Sequence, residues 1–181
     1  MDAISKSELE ELIREGKENP TTILVSYNDI RPILNVAFSA SEKLKEFEVY
    51  YQPNLDFYAD MEITGFTTAE YYKQAFDDYC NYFDKHKISQ ITRVNKKLYN
   101  HSKNKYETFL DYPEDKKMIL VIENFNFWDL NSQSFIAQLS EKNPNIIVIG
   151  QLRSDFDFAS NHIDKELRTG KGGTAFVSLK G

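Results

Sequence analysis

The chain has 181 residues, of which 41% are hydrophobic, 14% aromatic and 28% charged, a composition that specifies one folded domain with a sizeable core and excludes intrinsic disorder. Its 22 basic and 28 acidic residues leave a net charge of −6, which excludes nucleic-acid binding through bulk positive charge and leaves only a local patch for that role. A single cysteine, Cys80, excludes an internal disulfide framework and any cysteine-built zinc site.

In chain order, residues 1–18 read as an N-terminal helix. Ser7-Glu8-Leu9-Glu10 forms a capping box, Leu9, Leu12 and Ile13 share a face, and Gly16 offers a left-handed stop. Thr21 to Tyr27 is a β-branched run suited to a buried strand, and Asn28-Asp29 turns the chain. Pro32 sits at a first helical position, followed by the stripe Ile33, Leu34, Ala37, Phe38 and Leu44. Phe47 to Gln52 is a second strand, and residues 53–65 form an aromatic stretch with no clear period.

Thr67-Thr68-Ala69-Glu70 opens a helix through about Asp84, carrying Tyr72, Ala75, Phe76, Tyr79 and Phe83. Ile88, Ile91, Val94 and Leu98 predict a further, more basic helix. Met118 to Glu123 is a buried strand, and Ser134 to Leu139 lies in a helix starting near Asp129 or Asn131. Ile146 to Ile149 is a strand behind Pro144, residues 158–168 a helix, and Thr174 to Leu179 the closing strand. Alternating strands and helices predict a single α/β domain over 1–181, a three-layer sandwich on a mainly parallel five-stranded sheet. The opening hexapeptide lacks a signal pattern, and no apolar run nears the ~20 residues that span a bilayer, so a cytoplasmic protein with no membrane partner is expected.

The loop after the first core strand carries a negative. A phosphate-binding loop there needs glycines that let backbone N–H groups close on phosphates, and a lysine to neutralise them. The chain instead continues Tyr27-Asn28-Asp29-Ile30-Arg31-Pro32-Ile33-Leu34, with no glycine between Gly16 and Gly65 and no lysine between Lys17 and Lys43. Two later strands end in polar residues, Glu123-Asn124 and Gly150-Gln151, where P-loop ATPases place their magnesium-binding acid and their γ-phosphate sensor.

With Phe66-Thr67-Thr68-Ala69-Glu70 opening a helix, Met118 to Phe125 in the Walker B place, Asn145 to Asp155 as the sensor-1 strand and Thr174 to Leu179 as the last strand, residues 20–180 resemble the AAA+ core. The resemblance is greatest to bacterial replication initiators and helicase loaders, then to the clamp-loader delta subunit. It implies an AAA+-like core without the lid domain, for which the chain has no room. By that resemblance, Glu123 stands where a magnesium-binding Asp is usual and Asn124 where the catalytic Glu belongs, and an amide cannot take a proton from water. With the phosphate loop missing as well, the expectation is an ATP-silent relative. It uses no cofactor, binds no nucleotide, catalyses nothing and serves as a protein-binding platform in replication or a phage or plasmid process.

Candidate partner-binding residues are Phe125, Phe127 and the lone Trp128 after the acidic strand end, together with Arg153; the plainer reading is that the aromatics cover the sheet edge. The alternative function is nucleic-acid binding through the basic segment 85–106. Lys85, Lys87, Arg93, Lys96, Lys97, Lys103 and Lys105 occur there without an acid up to residue 105, and Tyr99 and Tyr106 are available for stacking. Removing seven positive charges from a chain at −6 leaves −13, so the segregation is strong. Its plainer reading is a solvated face. Gly170 to Thr174 reads as a flexible turn, Cys80 as a core thiol, and His86, His101 and His162 lack metal spacing. A third reading, a metal-dependent nuclease or phosphodiesterase at Asp56, Asp60 and Glu62, lacks companion motifs.

Overall fold

The computed structural model describes residues 2–16, 22–52, 74, 76–78, 80–82, 85, 96–109, 116–155, 159–168 and 173–181. Its framework is one sheet with eight strands: β1 (Asp2–Ile4), β2 (Thr22–Ser26), β3 (Glu48–Gln52), β4 (Lys96–Asn100), β5 (Lys105–Phe109), β6 (Met118–Ile122), β7 (Ile146–Leu152) and β8 (Ala175–Leu179). They lie in the order β1-β8-β2-β7-β6-β3-β4-β5. All neighbours from β1 through β3 are parallel, and the β3–β4 and β4–β5 pairs are antiparallel.

Every residue of β6 and β7 is buried, as expected of central parallel strands covered on both faces. One face packs Ile23, Val25, Ile119, Val121, Ile147 and Ile149 under α1 (Lys6–Glu15) and α2 (Ile30–Leu44). The opposite face packs Leu24, Leu120, Ile122, Val148 and Leu152 with Ile136 of α3 (Leu130–Lys142) and Leu167 of the single turn α4 (Lys165–Arg168). The period-two alternation of the strands thus feeds two separate apolar layers. Residues 74, 76–78, 80–82 and 85 are helical, and Phe76 meets Phe127 and His162 edge-on.

The sheet has eight strands where the sequence predicts five. β1 is three residues long and is recruited by β8, a pairing across the whole chain that no local pattern encodes. Leu98, expected in a basic helix, lies instead in β4, opposite Glu107, while Ile88, Ile91 and Val94 of that expected helix lie outside the described residues. The capping box belongs to Ser5 and Glu8, two residues before the expected one, and Gly16 is right-handed at φ −61°. There a Cβ would come within 3.2 Å of Ile147, so close packing on the sheet accounts for its lack of a side chain. Pro32 stands third in α2 behind the N-cap Asp29, and of the helix expected over 158–168 only Lys165–Arg168 is helical among the described residues. The expected features of residues 53–65 and 67–70 lie outside the described residues.

Gly150 of β7 leaves no room for a side chain. A Cβ there would stand 2.6 Å from Leu24 Cδ2 and 3.0 Å from the Phe125 ring, both buried. Gly150→Ala therefore overpacks the layer beneath α3, and urea denaturation should show a loss of about 1–3 kcal/mol.

Candidate functional site

The carboxyl ends of β2, β6 and β7 lie side by side, and the loops leaving them form the place where an α/β domain of this type presents chemistry. The Gln151 side chain, 1% exposed, closes this end. Its Nε2 donates to the Tyr27 carbonyl at 3.0 Å, and its Oε1 accepts from the Asn124 backbone N–H at 3.1 Å. One carboxamide thus ties the tip of β2 to the tip of β6 across β7. Tyr27 N–H donates to the Leu152 carbonyl at 3.1 Å, and Asn28 Oδ1 accepts from Ser154 N–H at 3.0 Å, tying the β2 loop to the end of β7 as well.

The start of α2 is engaged as well. The Asp29 carboxylate accepts from Arg31 N–H at 3.0 Å and holds the Arg31 guanidinium with contacts of 2.7–3.2 Å. The side-chain bonds from Arg31, then the backbone bond, bring the Asp29 carboxyl down to about 2. Pro32, next in the helix, has no N–H to offer. A helix N-terminus attracts anions through free N–H groups and its positive dipole end. In this protein its own carboxylate occupies that end.

Glu123 accepts a hydrogen bond from Tyr51 Oη, and Tyr51 is held well above its ordinary pKa, first by burial and then by that carboxylate. Asn124 is left-handed (φ 50°), a conformation asparagine tolerates, and its Oδ1 is buried without a hydrogen-bond partner. The strand β6 thus runs out into a tyrosine-bonded Glu and a left-handed amide. Among the described residues no group of three or more His, Cys, Asp or Glu stands where it could hold a metal ion.

Phe125, Phe127 and Trp128 are 0%, 1% and 1% exposed. Phe125 and Phe127 form a 3-10 turn at the strand end, and Trp128 Nε1 donates to the Glu123 carbonyl at 3.4 Å. All three belong to the core in this structure and present no ring to a partner. Arg153 is engaged with Asp155 through its guanidinium, including an Nε contact of 3.0 Å. Cys80 is buried, with Sγ 3.5 Å from His162 Nε2.

Two amides that sequence reasoning passed over hold the neighbouring loops. Asn126 Nδ2 donates to the carbonyls of Arg153 and Ala159, both at 2.8 Å, and Oδ1 accepts from Arg153 N–H at 3.0 Å. Gln133 Nε2 donates to the Trp128 and His162 carbonyls at 3.1 and 2.9 Å, and Oε1 accepts from Asp164 N–H at 3.0 Å. Both are 0% exposed. The available signal was an asparagine set between two phenylalanines.

Of the basic candidates, Lys87 and Arg93 lie outside the described residues, and Lys85 is exposed on a helix. Lys96 and Lys97 lie in β4, paired with Phe109 and Thr108. Lys103 and Lys105 are exposed and sit 3.5 and 3.8 Å from Glu48 and Glu107. The turn end of the hairpin holds a polar cluster in which Asn100 Nδ2 donates to Glu48 and Glu107 at 3.2 and 3.4 Å, and Lys116 lies 3.9 Å from Glu107. Burial opposes ionisation of Glu107, but hydrogen bonds from Tyr50 and Asn100 and the charges of Lys116 and Lys105 outweigh it, and its pKa falls below the ordinary 4.5.

No family model matches the sequence, and no curated protein is significantly similar to it.

Two outcomes test this geometry. Asn126→Ala strands three backbone groups at about 1–3 kcal/mol each, so urea denaturation should show a loss of about 3 kcal/mol or more, against about 0.5–1.5 kcal/mol for Asn28→Ala. Because the folded pKa of Glu107 is depressed, its ionised form stabilises the fold above its unfolded pKa, and that contribution fades as pH falls through the folded value. Glu107→Gln should therefore cost stability at neutral pH, with the gap to the parent closing in strongly acidic buffer.

Proposed function

We propose that this chain is a non-catalytic binding domain on a degenerate AAA+-like core, that its partner is a protein, and that it serves DNA replication or a phage or plasmid process. The observation that carries the reading is the Gln151 bridge between Tyr27 and Asn124, set beside a helix start capped by Asp29. A triphosphate needs free N–H donors and a cation at this place. Here Asp29 engages the Arg31 N–H, Gln151 engages the Asn124 N–H, and Pro32 has none to offer.

The strand order supports the core assignment. Counting β2, β3, β6, β7 and β8 as first to fifth, these five parallel strands read 5-1-4-3-2, the mainly parallel five-stranded sheet that the resemblance implies, with three further strands at its edges. The helix after the first strand and the helix between the third and fourth cover opposite faces, as doubly wound sheets require. The replication setting comes from the resemblance to initiators and loaders alone. A domain that keeps this scaffold without a nucleotide grip retains its surfaces as working parts, and docking is the function left to them.

Calorimetric titration of the chain with ATP and Mg²⁺, followed by a phosphate-release assay, tests the reading. The expected result is no saturable heat at millimolar nucleotide and no phosphate above the buffer blank. Magnesium-dependent turnover that is abolished by Glu123→Gln would overturn it.

A further inference from the structure

The sheet ends on one side in β1, three residues long, and on the other in β5, five residues long. β5 has β4 along one flank, and among the described residues no strand lies along the other. An edge strand presents a row of backbone N–H and C=O groups that can pair with another chain. By the alternation of a strand, Lys105 and Glu107 project from one face of β5 and Tyr106 from the other. The Lys105 side chain is 58% exposed and Tyr106 61%, with the Tyr106 ring beside that of Tyr99 at a centroid distance of 5.1 Å.

A lysine on an edge strand normally discourages such pairing. For β5 against a second β5, the register decides. When two copies of one strand pair antiparallel about a two-fold axis, directly opposed residues share a face, so the axis passes through a residue position. Centred on Lys105 or Glu107, the pairing sets a charge against its own copy, which is destabilising. Centred on Thr108 or Phe109, it no longer sets Lys105 against Glu107. Centred on Tyr106, it sets Lys105 of each copy against Glu107 of the other, twice by symmetry, and Tyr106 against Tyr106 on the opposite face. Within one copy Lys105 lies 3.8 Å from Glu107, a long surface contact worth little, so Lys105 can turn to the carboxylate of a second copy at small cost.

We propose that two copies of this chain pair through β5, antiparallel and centred on Tyr106, joining their eight-stranded sheets into one continuous sheet. A two-fold contact of this kind closes on itself, so association stops at the dimer. A strand of another protein would have to bring a base and an acid at the same spacing, whereas a second copy carries both. A pair of five-residue strands is small beside the roughly 1,200 Å² of a stable complex, so the dimer is weak and concentration-dependent. The proposal does not depend on how the carboxyl ends of the strands are read.

Sedimentation velocity of the full chain from micromolar to millimolar concentration tests it. The parent should pass from monomer to dimer, with no larger species. Lys105→Glu should weaken the dimer roughly two- to thirtyfold, because both copies of the pair are lost. Position 106 meets itself across the axis, so Tyr106→Asp and Tyr106→Lys should each weaken the dimer alone, and a mixture of the two should associate more tightly than either. The exposed site lets both variants keep the parent's circular dichroism spectrum, which separates lost pairing from lost folding. A chain that stays monomeric at millimolar concentration, a dimer indifferent to Tyr106→Asp, or a mixture no tighter than its components would overturn the proposal, the first leaving the edge to a strand of another protein.

Discussion

A buried carboxamide must find partners for its donors and its acceptor, and this structure uses that requirement as its means of joining loops. Gln151, Asn126 and Gln133 each sit at 1% exposure or less, and each bonds backbone groups from segments that do not otherwise pair. The central parallel strands supply the apolar mass. The amides decide where the chain goes after leaving them. Gln151 is the side chain that ties the tips of β2 and β6 across β7.

The same economy governs charge at that end. α2 begins where an anion is favoured, and the chain supplies Asp29 for the purpose and reinforces it with Arg31. An incoming phosphate would meet a carboxylate held ionised to about pH 2. Glu123 is turned to Tyr51, so the acid at the end of β6 serves a contact between parallel strands. Asp29, Glu123 and Gln151 are each committed to contacts within the fold. That arrangement favours a scaffold whose interactions occur elsewhere on its surface.

Much of the framework was legible because its signals are local and strong. The apolar runs at Ile23, Ile119 and Ile147 place β2, β6 and β7 within one to three residues, and Asp129 caps α3 with its carboxylate on Ser132 N–H at 3.0 Å. The edges were illegible for the opposite reason. β1 offers three residues, and β4 has one buried apolar side chain, Leu98, amid polar neighbours, while Ile88, Ile91 and Val94 before it keep a helical spacing. The aromatic turn read as a docking surface because Phe, Trp and polar residues alternate there. Alternation in sequence does not reveal that Asn126 and Asp129 are themselves 0% exposed and bonded from within, which draws the rings inward.

The central claim is that the carboxyl end of the sheet is closed by its own side chains. Nitrogen-15 NMR of the folded chain tests it most directly, by following the Asn124 backbone amide and the Gln151 side-chain amide with Mg²⁺–ATP added. The account predicts slow solvent exchange at both groups and no saturable shift at Asn124, Ile30 or Arg31. Rapid exchange at both, with saturable shifts at those three amides, would contradict it.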